Sequence, residues 1–270
     1  MEPNLPTEPC TTIATKTGEL KQRRRWHIPR SLTIFVLLAC VPPCQPASTL
    51  VPEPPNDFLE RIASNNVKHY AVAFSVLREY KLRNLRFAKE ATVSVQVTYH
   101  PTKGMEYTIL ESSGSPKLTE IVEKVLASEA DATSPAKLAR HLISPANYDG
   151  YVRGTETMAG RTCYVIDLVP KHKSKYLMKG TAWVDRSSYD VVRLEGAPSA
   201  SVSMWIGTPH IEMEFSQIDG LWQPFRTAAV STGLLLGTSE LEIRYCDFFI
   251  INTVHPALNR AADATQHPRP

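Results

Sequence analysis

The sequence predicts a mainly antiparallel β protein with an α-helical insertion, bent into an incomplete, half-open barrel with helices as a lid across the open side. Three observations carry this. First, apolar and polar residues alternate in several segments: Tyr164, Ile166 and Leu168 against Cys163, Val165 and Asp167; Ile211, Met213 and Phe215 against His210, Glu212 and Glu214; Leu241, Ile243 and Tyr245 against Glu240, Glu242 and Arg244. A period of two is what a strand needs when one of its faces leaves water. Second, one stretch breaks the alternation, with Leu118, Ile121, Val122, Val125 and Leu126 recurring at helical spacing. Third, about ten strands are too many for a flat one-sided sheet, which curls or closes on itself.

Residues 1–47 read as a signal or leader segment. Lys21, Arg23, Arg24, Arg25 and Arg30 precede the apolar run from Ser31 to Val41, and Pro42, Pro43 and Pro46 follow it. The run is shorter than the roughly 20 residues of a spanning helix and fits the apolar region of a secretory signal. Two products stay open. Cleavage after Ala47 leaves a soluble periplasmic protein; Leu37-Leu38-Ala39-Cys40 resembles a bacterial lipobox, which makes Cys40 a lipidation candidate and the N-terminus a possible membrane attachment. The leader holds six basic residues against three acidic ones, so it accounts for the whole net charge of +3 and leaves the rest of the 270-residue chain formally neutral. A neutral body has no basic face with which to displace counterions from nucleic acid, and that class is set aside.

A proline-rich spacer and a short helical or irregular lead-in occupy residues 48–65, and the folded domain is expected over 66–251. Its first strands are expected at 70–82, 91–99 and 105–111. Ser115 and Pro116 then supply an N-cap and a first-turn proline for the helix through Ser128. Ser134 and Pro135 repeat that signal, and a second, shorter helix is expected to end near Pro145. Strands return near 151–158, 161–169, 176–186, 189–196, 201–217, 221–232 and 237–251, with hairpins at Ala159-Gly160, Arg186-Ser187-Ser188 and Asp219-Gly220. The tail, 252–270, is expected to be disordered for lack of apolar residues. Cys163 and Cys246 are the two cysteines of the body. An oxidising compartment permits a bridge between them, but about four strands separate them in a meander and a bridge needs Cα atoms within about 7 Å, so two unpaired thiols are expected, with a disulfide as the alternative.

Residues 147–170, 176–196 and 222–225 carry a resemblance. A strand ending in Gly180, Trp183, Val184 and Asp185, then a turn, then Val191, Val192, Arg193, Leu194, Glu195 and Gly196, is similar to the hairpin of the bacterial outer-membrane lipoprotein-sorting proteins. These form the LolA-like superfamily, with the LolB receptor and RseB-type sensor domains. The resemblance implies an incomplete β-barrel closed by a helical lid over an apolar cavity, no catalytic residues, no cofactor, and lipid or the acyl chains of lipoproteins as ligand. It also implies an envelope location, periplasmic or associated with the outer membrane of a Gram-negative-type bacterium.

The cavity candidates follow from the two apolar faces. On the helix they are Leu118, Ile121, Val122, Val125 and Leu126; on the strands, Tyr164, Ile166, Leu168, Met178, Val184, Val192, Leu194, Ile211, Met213 and Phe215. Each is equally a core residue in the plain reading; the flexible thioethers of Met178 and Met213 suit a varied ligand. His210, Glu212 and Glu214 share a strand face and read as solvated rather than metal-binding, since metal sites draw ligands from several elements. Lys171, His172, Lys173 and Lys175 read first as a solvated hairpin and second as a contact for anionic lipid heads. Gly-x-Ser-x-Gly, a phosphate-cradling glycine loop and a nucleophile with a base are all missing from the sequence, which favours a non-enzyme. The function expected is a carrier of lipid or lipoprotein acyl chains. The alternative is an envelope stress sensor or interaction module with a filled core and a protein partner.

Overall fold

The computed structural model describes residues 57–201, 207–218, 220–234 and 237–251. The leader with Cys40, the spacer to residue 56 and the tail 252–270 lie outside them. Helix α1 (Phe58–Tyr70) comes first and buries Leu59 and Ile62. It is a full helix where only a short lead-in over 57–65 is expected, because its polar residues outnumber its inward ones.

Strands β1 (Phe74–Asn84), β2 (Lys89–His100) and β3 (Gly104–Gly114) follow. In β1 and β2 every second side chain is buried, Val76, Tyr80 and Leu82 on one, Val93, Val95 and Val97 on the other. Helix α2 (Pro116–Ala132) starts where Ser115 and Pro116 place it, buries Leu118, Val122 and Leu126, and runs four residues beyond Ser128. The second helix expected between Ser134 and Pro145 does not form. A single 3-10 turn, Leu138–Arg140, stands in its place. Asn147 explains why: its side-chain amide donates to the carbonyls of Ala139 at 3.0 Å and Leu142 at 2.8 Å, taking acceptors that helical N–H groups would need.

Seven strands complete the fold: β4 (Tyr148–Met158), β5 (Arg161–Pro170), β6 (Met178–Asp185), β7 (Val191–Pro198), β8 (His210–Ile218), β9 (Leu221–Gly233) and β10 (Gly237–Ile250). β8 starts at His210 rather than 201; residues 202–206 lie outside the described ones. All ten strands join one antiparallel sheet in the order β3-β2-β1-β10-β9-β8-β7-β6-β5-β4. The edges β3 and β4 are consecutive in sequence but do not pair, so the sheet is unclosed among the described residues, and residues 115–147 cross from one edge to the other. This is the half-open barrel with a helical lid that the alternation predicts, although the lid's helices are α1 and α2.

The hairpin of β6 and β7 shows what its glycines do. Gly180 pairs with Gly196, and the backbones approach so closely that a Cβ on Gly180 would lie 2.0 Å from the Glu195 carbonyl oxygen. The turn that follows is organised by Asp185, whose Oδ1 accepts from the Ser187 N–H at 2.8 Å and the Ser188 N–H at 3.0 Å. Its Oδ2 accepts from Arg161 at 3.0 Å. Burial raises the Asp185 pKa, but the Ser187 hydroxyl, the Ser188 N–H and Arg161 outweigh it and hold the carboxyl at about 2. Helix α1 docks on this turn: Asn65 donates to the Ser188 carbonyl, His69 meets Asp190 at 3.2 Å, and Arg61 lies over the Tyr189 ring.

The two body cysteines differ. Cys163 is a buried free thiol, raised to about 11 by burial. Cys246 is disulfide-bonded, which corrects the expectation of two unpaired thiols. Its partner is not Cys163, since four strands separate β5 from β10.

Candidate functional site

The register defines a concave face. Tyr80 of β1 faces Ile243 of β10, Ile243 faces Thr227 of β9, Thr227 faces Met213 of β8, and Met213 faces Leu194 of β7. Leu194 faces Ala182 of β6, which faces Ile166 of β5. Alternation in each strand puts these side chains on one surface.

Two apolar clusters cover the flanks of that surface. One joins α2 to β1, β2 and β10, with Leu118, Val122 and Leu126 set against Val76, Tyr80, Val93 and Val95. The other joins α1 to β4, β5, β6 and β7, with Leu59 and Ile62 set against Tyr164, Ile166, Leu168 and Val184. Eight of the fifteen candidates are buried: Leu118, Val122, Leu126, Tyr164, Ile166, Leu168, Val184 and Val192. Val192 belongs elsewhere. A bulge beside it turns it to the convex side, where it packs with Cys163 and Trp222.

The remaining seven, Ile121, Val125, Met178, Leu194, Ile211, Met213 and Phe215, are half-buried. Ile121 and Val125 lean on the first cluster, Leu194 and Phe215 on the second. Ile211 and Met213 belong to neither. They lie on the floor between the clusters, beside Ala229 of β9, which pairs with Ile211. The concave face is thus close-packed at its flanks and half-covered along β8.

Sequence reasoning missed the polar pair beneath α2. Arg78, 5% exposed, takes an inward position of β1 and donates through Nη1 to both carboxylate oxygens of Glu129 at 2.8 Å. Its guanidinium also lies over the Tyr245 ring and donates to the Tyr80 hydroxyl at 3.3 Å. Burial opposes the charge of Arg78, but Glu129 outweighs it and the pKa is raised. The same burial raises the Tyr80 and Tyr245 phenols, which stay neutral. The available signal was a single arginine at an inward position of an alternating strand.

The polar candidates each have a polar partner across the strands. His210 meets Glu195 at 3.2 Å, Glu212 meets Arg193 at 3.3 Å, and Glu214 meets Arg226 at 3.6 Å. Glu195, His210 and Glu212 bring one ligand atom each within 4.8 Å of one another, yet Arg193 already holds both carboxylates there. Two surface hollows have other linings. One, of about 400 Å³, lies between the end of β3 and the start of α2, around Ser113, Thr119 and Glu123. The other, of about 290 Å³, lies between residues 131–141 and 172–176. None of the fifteen apolar candidates lines either.

No protein-family model and no curated protein matches the chain. Among solved structures, it is similar to a LolA superfamily protein from Nitrosomonas europaea, at 15% identity and a TM-score of 0.42 over 73% of this chain and 93% of that one. It is similar also to a putative outer membrane lipoprotein-sorting protein domain from Vibrio parahaemolyticus, at 13% identity and a TM-score of 0.43 over 76% and 97%. A DUF1329 family protein from Desulfovibrio piger gives 13% identity and a TM-score of 0.39 over 76% and 96%. At these scores they assign no ligand to this chain.

Proposed function

We propose that the protein is an exported, non-enzymatic carrier of the bacterial cell envelope that binds a lipid or the acyl chain of a lipoprotein on its concave face. The ligand lies in the furrow between α1 and α2. The observation that carries this reading is the position of Ile211 and Met213: apolar, half-buried, inward by register, and outside both packed clusters. An alkyl chain laid there removes its own surface and theirs from water, at about 25 cal/mol per Å². Leu194, Phe215, Ile121 and Val125 border the furrow and complete its apolar lining, and Met178 stands near its end on β6. Within this reading seven of the eight buried candidates support the walls rather than touch the guest, and Val192 packs on the convex side.

One observation favours a second reading. The flanks are filled by the chain's own side chains, as expected of an envelope sensor or interaction module that recognises a protein partner and carries no lipid. The two separate in one experiment. Protein purified from a Gram-negative periplasm is analysed by native mass spectrometry, followed by lipid extraction and titration with labelled fatty acid. Co-purifying acyl species, lost in Met213→Asp, support the carrier. A lipid-free protein that binds no fatty acid overturns it and leaves the interaction module.

Export rests on the leader, and its product is a separate question. Intact mass of the membrane fraction tests acylation at Cys40; a polypeptide starting near Ser48 with no lipid attached overturns it.

A further inference from the structure

The hollow of about 290 Å³ lies on a seam, where the chain leaving α2 meets the loop between β5 and β6. Its lining comes from both sides: Asp131, Lys137, Arg140 and His141 from the first, His172, Lys173, Ser174 and Tyr176 from the second. Three formal cations thus share the hollow with one carboxylate. That carboxylate is already satisfied, since Lys137 donates to Asp131 Oδ1 and the Tyr176 hydroxyl donates to Oδ2 at 3.1 Å. Arg140 and Lys173 have no acidic partner among the described residues. Lys175 adds a further positive charge beside the hollow, over the face of Tyr176.

The loop that carries Lys173 is solvent-exposed, as the hairpin reading expects, but its backbone is pinned to its neighbours. The Ser174 N–H donates to the Ser199 hydroxyl at 2.9 Å, the Ala200 N–H donates to the Ser174 carbonyl at 3.2 Å, and the Lys171 N–H donates to the Asn147 carbonyl at 2.9 Å. On the other side, His141 packs on the Tyr176 ring at 4.5 Å between centroids and donates through Nδ1 to the Ala132 carbonyl at 3.0 Å. That leaves Nε2 as its remaining polar atom. Cations without counterions lining one concavity make a site for an anion whose oxygens accept several N–H bonds at once. The volume sits at the low end of ligand pockets, about 300–1,000 Å³, and suits a compact group rather than an alkyl chain.

We propose that this seam binds a phosphate group, held by Arg140 and Lys173 with Lys137 in support. The group is either that of an anionic phospholipid head or that of a soluble phosphate ester. The inference stands apart from the furrow and holds whether or not an acyl chain binds there. Both Arg140 and Lys173 are exposed, so their replacement leaves the core intact.

The test compares the parent chain with Arg140→Gln/Lys173→Gln and with a control of equal charge loss elsewhere, Lys103→Gln/Lys117→Gln. Calorimetry with inorganic phosphate and glycerol 3-phosphate reads the soluble source. Flotation with phosphatidylglycerol vesicles, against phosphatidylcholine vesicles, reads the headgroup. The expected result is binding in one arm that falls at least tenfold in the seam variant and less than twofold in the control. Soluble-ester binding assigns a free phosphate; binding to phosphatidylglycerol vesicles alone assigns a lipid head. No binding in either arm, or equal losses in seam variant and control, overturns the proposal.

Discussion

Arg78 occupies an inward position of β1 between Val76 and Tyr80, and Glu129 reaches it from the last turn of α2. The pair fastens the helix to the sheet at a point where packing alone would leave an arginine without a counterion. Glu129→Ala strands a buried guanidinium, and we expect a loss of about 3 kcal/mol in urea unfolding, much of it recovered in Arg78→Met/Glu129→Ala. Asp185 acts on the same scale. Its carboxyl stays at about 2 in the folded protein, below the 3.8 of a free aspartate, so its contribution is fully present above pH 4 and is lost as pH falls toward 2. That contribution is about 2 kcal/mol. Asp185→Asn is therefore expected to be destabilised by that order at pH 7 and by much less at pH 2.5, when unfolding is compared at the two values.

At the scale of elements, legibility in the sequence tracks periodicity. The alternation of Tyr164, Ile166 and Leu168, or of Leu241, Ile243 and Tyr245, located strands to within a few residues because one face of each leaves water. The stripe from Leu118 to Leu126 located α2 for the same reason. Helix α1 was obscured because only Leu59 and Ile62 are buried along its 13 residues, too few to fix a period, while Phe58 and Tyr70 at its two ends are only partly buried. The apparent helix after Ser134 was the opposite error: a start signal without enough apolar area behind it, overruled by Asn147. Ile62 is 1% exposed, so α1 is part of the fold rather than a lead-in. Ile62→Ala is expected to cost about 2–4 kcal/mol by chemical denaturation. A value below about 0.5 kcal/mol would mean that α1 does not dock as described.

At the scale of the whole molecule, ten strands in one unclosed sheet leave a concavity that the two helices cover from opposite flanks. The fold class was legible because strand number and period together exclude a flat sheet. The candidate site was legible only as a face: fourteen of the fifteen residues lie on the surfaces that the alternation assigns, all but Val192, but the alternation did not separate the seven that fill the flanks from Ile211 and Met213 on the floor. Burial along a strand depends on what lies above it, and that is set by the path of residues 115–147 between the two sheet edges, which local pattern does not encode. The most direct test of a furrow for an alkyl guest is the chain-length dependence of binding, measured with fluorescent or competing saturated fatty acids on the parent chain and on Met213→Asp. An alkyl guest in the furrow makes affinity rise roughly tenfold for every two methylenes until the furrow is filled, at about 0.8 kcal/mol per methylene, with the rise abolished in the variant. Affinity independent of chain length, or unchanged by Met213→Asp, would contradict it.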